Sequence, residues 1–364
     1  MSSKQPALPS NESEAPSPGD EGEVAHSLRH VAELAGVSVA TASRVMSGSS
    51  HPVSDQTRER VLSAADRLSF EPNRLARALV TAKSQTVGVI VHDISDPYFG
   101  DIVKGLEDGV HASDYRLFVA SSDRDPEKEL NYVRTFHAYQ VDAIVFAASS
   151  LTNPDYVQTL KRLAARYRQR GGIIVVLSEH TLQAPRVGFD NRRAVAEMVA
   201  HLAERGHRSI AYITGPPDLD VSRVRLEGFN DGVANFGLET GPEYVASGHF
   251  TLGGGAAAMT ELLERVDVTA VLAANDLMAI GATRHLLDSG IAVPDDISVA
   301  GVDDMPIAEY GPVPLTTMRV PTYDIGRRGA SLLLDALGDG DPADVRLKGE
   351  IIERQSVATL RPSK

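Results

Sequence analysis

Residues 31–48 read VAELAGVSVATASRVMSG, and residues 53–79 read VSDQTRERVLSAADRLSFEPNRLARAL. Small polar residues stand where helices begin, and apolar residues recur at helical spacing. Ser27 caps a short helix whose inward residues are Val31, Leu34 and Ala35, and Gly36 ends it. Ser38 caps a second helix to about Met46, with Ala42, Val45 and Met46 inward, and Ser54 caps a third carrying Val61, Leu62, Ala65 and Leu68. Three short helices, the first two joined by a tight turn containing Gly, predict an all-α helix-turn-helix domain over residues 26–71.

The charge distribution agrees with a small separate module. The 364 residues carry a net charge of −13. Residues 1–25 hold one Lys against five acids, and residues 26–83 hold seven Arg and one Lys against five acids. The rest of the chain therefore carries −12, so a basic segment sits on an acidic body, as expected when one module meets nucleic acid and the other does not. Residues 1–25 are rich in Pro, Ser and Glu with little to bury and are read as a disordered tail. They contain no apolar run that would serve as a secretory signal, and no stretch approaches the roughly 20 apolar residues of a membrane span. The absence of Cys excludes thiolate metal sites and Cys nucleophiles and fits a cytoplasmic protein.

From Val87 onward, strand-like runs alternate with helical patterns. The strand-like runs are 87–91, 117–120, 143–147, 173–177, 210–213, 270–273 and 297–301. Such alternation predicts parallel sheets flanked by helices, arranged as two lobes with a break near Asp190. Ligands of open α/β sheets lie at the carboxyl ends of strands, which directs attention to the loops after Val91, Ala120, Ala147, Ile213 and Ala273.

On the second helix of the first module, Val39, Ala40, Ser43 and Arg44 share the face opposite Ala42 and Val45. In a major groove an Arg pairs bidentately with guanine, and Val or Ala meets the thymine methyl. Ser38, Thr41 and Ser43 are short donors suited to phosphate oxygens. An exposed Arg on a three-helix bundle is also ordinary surface.

The two quoted stretches, taken as wording, resemble the N-terminal domain of the lactose-repressor (LacI/GalR) family of bacterial transcription regulators. The resemblance is nearly continuous over residues 28–80 and looser to Leu360. It implies that Val39 and Ala40 set operator preference and that Arg44 is the recognition-helix Arg. Residues 72–84 correspond to a hinge helix and linker in which Leu79 wedges into the minor groove, with Asn73, Ala76 and Arg77 contributing to DNA contact. Ala78 stands where some relatives carry Lys, so one minor-groove contact is not expected. So short a helix does not persist alone in water and would order against a bent duplex, paired with its symmetry mate. A homodimer on a pseudopalindromic operator follows.

The resemblance extends to a periplasmic-binding-protein-like effector domain, α/β and two-lobed. Residues 85–189 with 317–345 form its first lobe and residues 190–316 with 346–364 its second, with crossings near Asp190, Thr316 and Arg346. After the first strand, HDISDPYFGDIVKGLEDG (92–109) places Asp96, Tyr98 and Phe99 at the expected cleft, where aromatic faces stack on a sugar and a carboxylate accepts its hydroxyls. Both aromatics are alternatively core. In SRVRLEGF (222–229), the family's RxxGF pattern makes Arg225 the ligand contact and leaves Arg223 to solvent. Asp276 in AAND, Phe250 in SGHF, Ser149 and Asp190 complete the candidate effector site, with Asp123 a weaker member. Asp276 and Asp190 are also good residues for a helix start. One Arg, several carboxylates and three aromatics suit a neutral, polyhydroxylated ligand.

The expected function is thus a DNA-binding regulator, a repressor released by a sugar-like effector. The alternatives are a corepressor ligand or a protein co-effector. Scattered His residues, a Gly253–Gly255 run without a phosphate fingerprint and the lack of a nucleophile motif leave no enzyme reading and call for no metal and no cofactor. Lys161, Arg162, Arg166, Arg168 and Arg170 form a basic run, read as a solvated helix face or as a second DNA site. Residues 351–358 look strand-like without apolar heptads, so no coiled-coil tail is expected.

Overall fold

The computed structural model describes residues 26–47, 51–71, 83–338, 340 and 342–360. The chain divides into two compact units, residues 1–80 and residues 81–364.

The first unit contains α1 (Leu28–Ala35), α2 (Val39–Met46) and α3 (Asp55–Arg67). Gly36, at φ +63°, closes α1 in the left-handed conformation that favours glycine. Ser38 Oγ accepts from Thr41 N at 3.1 Å and starts α2, and Ser54 does the same for α3 through Thr57 N. Val31, Ala32, Ala35, Ala42, Val45, Val61, Ala64 and Ala65 form its core. Two expected core residues lie elsewhere. Leu34 is 43% exposed and Leu62 49% exposed. Each stands about 100° of helical rotation away from a stripe that recurs at i, i+3, i+4 and i+7, namely Leu28, Val31, Ala32 and Ala35 on α1 and Val61, Ala64, Ala65 and Leu68 on α3. The expected hinge residues Asn73, Ala76, Arg77 and Leu79 lie outside the described residues.

In the second unit, β1 (Thr86–Val91), β2 (Arg116–Ser121), β3 (Ala143–Phe146) and β4 (Ile173–Val176) form one parallel sheet in the order β2-β1-β3-β4. Its intervening helices are α4 (Pro97–Val110), α5 (Pro126–Ala138) and α6 (Pro154–Arg168). Continuous apolar burial along β1 and β3 is what a sheet covered on both faces requires.

The second sheet has the order β12-β10-β9-β8-β6-β7. Its strands are β6 (Ile210–Thr214), β7 (Val245–Ser247), β8 (Ala270–Ala273), β9 (Ser298–Asp303), β10 (Thr316–Arg319) and an antiparallel edge, β12 (Glu350–Ile352). The helices α7 (Asn191–Glu204), α8 (Asp220–Phe236), α9 (Leu252–Leu263), α10 (Asp276–Asp288) and α11 (Pro306–Tyr310) accompany it.

The chain then returns, and α12 (Thr322–Leu337) packs on α4 in the first lobe. A Cβ on Gly105 would collide with the Tyr323 carbonyl, and one on Gly326 with that of Ile102, so bare glycines let the two helices touch. Beside β5 (Val187–Phe189), β11 (Val345–Leu347) forms a small parallel ladder where the chain crosses between lobes.

The lobe boundary expected at 316/317 moves. Residues 317–319 belong to β10, paired in register with β9 from Thr316↔Ala300 to Arg319↔Asp303, so the crossing follows Arg319. The strand is held in the second lobe by Thr317 Oγ1, which donates to Asp276 Oδ1 at 2.5 Å, and by Thr316 N, which donates to Ser356 Oγ at 2.8 Å. Among the described residues, no helix is long and apolar enough to cross a membrane.

Candidate functional site

In the first unit, Ser38, Val39, Ala40, Ser43 and Arg44 are exposed and Thr41 is half-buried, while Ala42 and Val45 close the core. Val39 is 47% exposed, unusual for a branched apolar side chain on a short helix. No ion pair engages Arg44 among the described residues. The Ser38 and Thr41 hydroxyls bond each other at 2.9 Å, so the cap fixes them at the amino-terminal turn of α2. The face offers a free guanidinium, two apolar groups and hydroxyls along one side of a helix, which is the chemistry of base and phosphate reading in a major groove.

In the second unit, a cavity is lined by loops at the carboxyl ends of strands of both sheets. Of the eight expected effector residues, Asp96, Tyr98, Phe99, Ser149, Arg225 and Phe250 line it together. Asp96 caps α4, its carboxylate accepting from Tyr98 N at 3.0 Å, and burial raises its carboxyl above the ordinary range. Tyr98 and Phe99 meet edge to face with centroids 5.1 Å apart. Burial also raises the Tyr98 phenol, so it stays protonated and can donate.

Arg225 is held on three sides. Its Nε donates to Asn191 Oδ1 at 2.8 Å, its Nη1 to Ala274 O, and its Nη2 to Asp303 Oδ1 at 3.1 Å. Burial lifts the Asp303 carboxyl to about 7, with Arg225 opposing that rise. Arg223, by contrast, faces outward and bridges Glu227 and Asp220.

Two expected contacts are corrected. Asp276 is fully buried outside the cavity lining, where its carboxylate accepts from Met305 N at 2.7 Å and from Thr317 Oγ1. Asp190 caps α7 through Arg193 N and lies 3.6 Å from Arg346 Nη1. In both places the neighbouring asparagine, Asn275 or Asn191, lines the cavity instead. The reason is local. Asp190 is the cap of α7 and is held by Arg193 N, while Asp276 follows the cap Asn275 and is held by Met305 N and Thr317 Oγ1. Each aspartate is thus engaged by the framework. Asp123 also turns away, to Lys128 Nζ at 2.7 Å.

Arg124, His92, Asp303, Asn191 and Asn275 were missed by sequence reasoning. Arg124, Phe250 and Asp303 share one backbone signature. Each lies in a consecutive pair of non-glycine residues at positive φ: Asp123–Arg124 at +54° and +60°, His249–Phe250 at +56° and +59°, and Asp303–Asp304 at +120° and +57°. Such strained backbone clusters at ligand sites because the surrounding structure must impose it. The Arg124 guanidinium lies 5.8 Å from the Phe250 ring centroid, joining the lobes across the cavity. His92 is buried against the Phe99 edge, and neither ring nitrogen meets a protein partner in hydrogen-bonding geometry. Burial, with Arg124 and His180 adding to it, drops its imidazolium to about 3, so the ring is neutral.

The lobes also meet directly. Ser149 Oγ accepts from Val221 N at 3.0 Å, Ser150 O accepts from Asp220 N at 3.0 Å, and Asp218 O accepts from Thr152 N at 2.8 Å. These bonds close one wall of the cavity.

Residues 27–73 match the bacterial regulatory proteins of the lacI family, and residues 199–357 match a periplasmic binding protein-like domain. Catabolite control protein A of Priestia megaterium is 32% identical over 330 residues, covering 90% of this chain and 97% of that protein. The lac repressor dimer bound to operator and the anti-inducer ONPF superposes with a TM-score of 0.80 at 27% identity, over 92% of this chain and 99% of that one. A complex of the transcriptional regulator CelR with cellobiose gives a TM-score of 0.66 at 32% identity, over 91% and 99%.

Proposed function

The chain belongs to the lacI family of bacterial regulatory proteins and is a transcriptional regulator, and from that premise we propose that it is a homodimeric repressor released from its operator by a neutral, sugar-like effector. The observation that carries the effector class is the charge balance of the cavity. Two guanidinium groups face two carboxylates, the imidazole is neutral, and four aromatic rings, Tyr98, Phe99, Phe189 and Phe250, supply apolar faces. An anionic ligand would leave a carboxylate repelled at close range, whereas a polyol satisfies donors and acceptors alike. The cellobiose bound to the related CelR supports this class.

The DNA is read by α2, with Arg44 at a guanine and Val39 and Ala40 at neighbouring bases. Two copies fit a pseudopalindromic site. The edge strand β2 supports the dimer, because Phe118 and Val119 stand 49% and 41% exposed on a strand with one unpaired side. Release requires that the ligand bind the DNA-free form more tightly than the DNA-bound form. The segment containing Leu79 is the proposed carrier of that coupling and lies outside the described residues.

A thermal melt against a panel of mono- and disaccharides including cellobiose and ribose tests the reading. At least one is expected to raise the melting temperature and to weaken duplex binding. If no sugar moves the melt, the cavity is not a sugar site and control by a protein co-effector takes its place. If a sugar tightens duplex binding, the ligand is a corepressor.

A further inference from the structure

We propose that the sheet edge at which the chain enters its second unit binds phosphates of duplex DNA flanking the operator. This rests on the proposal that the chain grips duplex DNA through α2. The strands of the first sheet are parallel, so their amino ends, Thr86, Arg116, Ala143 and Ile173, share one edge. The chain arrives there from the DNA-binding unit, with Ser84 N and Gln85 N held by the Asp142 carboxylate at 2.8 and 3.0 Å. Helices α5 and α6 run back to the same edge. Val141 N donates to Phe136 O at 3.1 Å, and Tyr167 OH donates to Val141 O at 2.6 Å.

That edge is cationic on a body that is otherwise strongly acidic. Arg166 and Arg170 sit at the end of α6 and Arg116 at the head of β2, all exposed. Among the described residues none of the three enters an ion pair, and neither does Arg162 one turn earlier on α6. Several exposed guanidinium groups elsewhere find carboxylates, as Arg192 does with Asp231, Arg223 with Glu227 and Arg284 with Asp288, while Arg134, Arg327 and Arg328 enter no ion pair among the described residues.

Arg162 and Arg166 stand at i and i+4 on α6, a like-charge spacing that weakens a helix unless an anion meets it, and Arg170 follows in the turn just past the helix end. Favourable placement near the helix carboxyl end offsets part of this repulsion. The Asp142 carboxylate at this edge is occupied by Ser84 and Gln85, and exposed Asp114, two residues before Arg116, forms no ion pair with it among the described residues. Tyr139, 69% exposed at the end of α5, adds a hydroxyl of the kind that bonds phosphate. A duplex is favoured over an acidic protein because exposed guanidinium groups with a phenol hydroxyl beside them match phosphate oxygens, the ligand class that the same chain's α2 is proposed to grip.

The test compares the full chain with its Arg166→Gln/Arg170→Gln variant, whose melting temperature is expected to be unchanged. The probes are duplexes of about 20 and about 60 bp centred on a sequence the wild-type chain enriches from a random pool, read as affinity against salt. The wild-type chain is expected to show a steeper salt slope on the long duplex than on the short one. The variant should lose about 2 to 4 from the slope on the long duplex, with affinity falling about tenfold near 0.1 M salt, and match wild type on the short one. Equal slopes and affinities for both proteins on the long duplex would overturn the proposal, leaving an acidic protein partner or a solvated face. If the wild-type chain enriches no sequence, the sequence-reading function fails instead. The same pair on a random long duplex then decides the edge contact separately, through the same loss of slope.

Discussion

Arg225 and Asp303 form a buried ion pair at 3.1 Å, the arginine on α8 and the aspartate at the strained end of β9. The pair ties the floor of the second lobe together at the cavity wall. Removing one partner of such a pair leaves the other charge desolvated, which costs about 3–5 kcal/mol. Arg225→Ala is therefore expected to lower stability strongly and to abolish the response to sugar. Adding Asp303→Asn to it should recover part of the loss. Denaturant unfolding of the single and double variants measures this. A single variant as stable as wild type would show that the pair contributes nothing.

Asp276 and Arg225 separate framework from ligand. The Asp276 carboxylate accepts from Met305 N and Thr317 Oγ1, tying α10 to the loop after β9 and to β10. Asp276→Asn is expected to cost about 1–3 kcal/mol, since one acceptor becomes a misplaced donor, while sugar affinity stays within about twofold. Calorimetric titration with a sugar hit from the melt panel checks it. A large loss of affinity at unchanged stability would return Asp276 to the ligand site.

His92 should show effects of opposite sign. Among the described residues none meets its buried ring nitrogens in hydrogen-bonding geometry, so His92→Leu removes an unsatisfied polar group and is expected to leave stability unchanged or raise it by about 1 kcal/mol. If the cavity holds a sugar, as proposed, whose hydroxyl bonds the ring, the same change is expected to weaken sugar binding by about tenfold. A variant that is both destabilised and unimpaired in binding would contradict this role.

Glu129 lies buried on α5 with Tyr156 OH donating to its Oε1, and burial raises its carboxyl to about 7. The folded protein therefore binds a proton that the unfolded chain has already released, so this group lowers stability as pH rises from about 4.5 to about 7. Buried His92 and His180, both depressed to about 3, act in the opposite direction below about 6.5. The comparison with Glu129→Gln isolates the carboxyl. The variant is expected to gain about 2–3 kcal/mol relative to wild type between pH 4.5 and 7. Parallel stability curves for the two proteins would remove Glu129 from the pH dependence.

Arg44 is exposed and unpaired, so Arg44→Ala should leave the melting temperature unchanged. It is expected to relax base preference at one operator position by about 1–3 kcal/mol. In vitro selection with the variant reads this directly, and an unchanged consensus would move base reading away from Arg44.

The helical stripes and Ser caps made the first unit legible, because both are local in sequence. Leu34 and Leu62 misled because in short helices a position one residue off the stripe still looks apolar. The alternation of strands and helices gave two parallel sheets. It missed β5, β7 and β11, whose three residues each lack room for a period, and the four-residue β10. At the cavity, family wording located Arg225 and Phe250. At 190–191 and 275–276 it pointed to the aspartate where the asparagine lines the cavity, because which of two adjacent residues faces it is settled by tertiary packing. Asp303 is the last residue of β9, two residues past the recognised run 297–301, at a strand end that was not searched. Arg124 depends on left-handed backbone, which its residue type does not advertise.

The central claim is that a sugar in the second unit governs DNA held by the first. One titration tests it most directly: the sugar hit is added to the chain bound to its enriched duplex, and sugar affinity is measured with and without that duplex. The duplex is expected to weaken sugar binding by the same factor as the sugar weakens duplex binding, about 5- to 150-fold. Duplex affinity unchanged with the cavity saturated would contradict the claim.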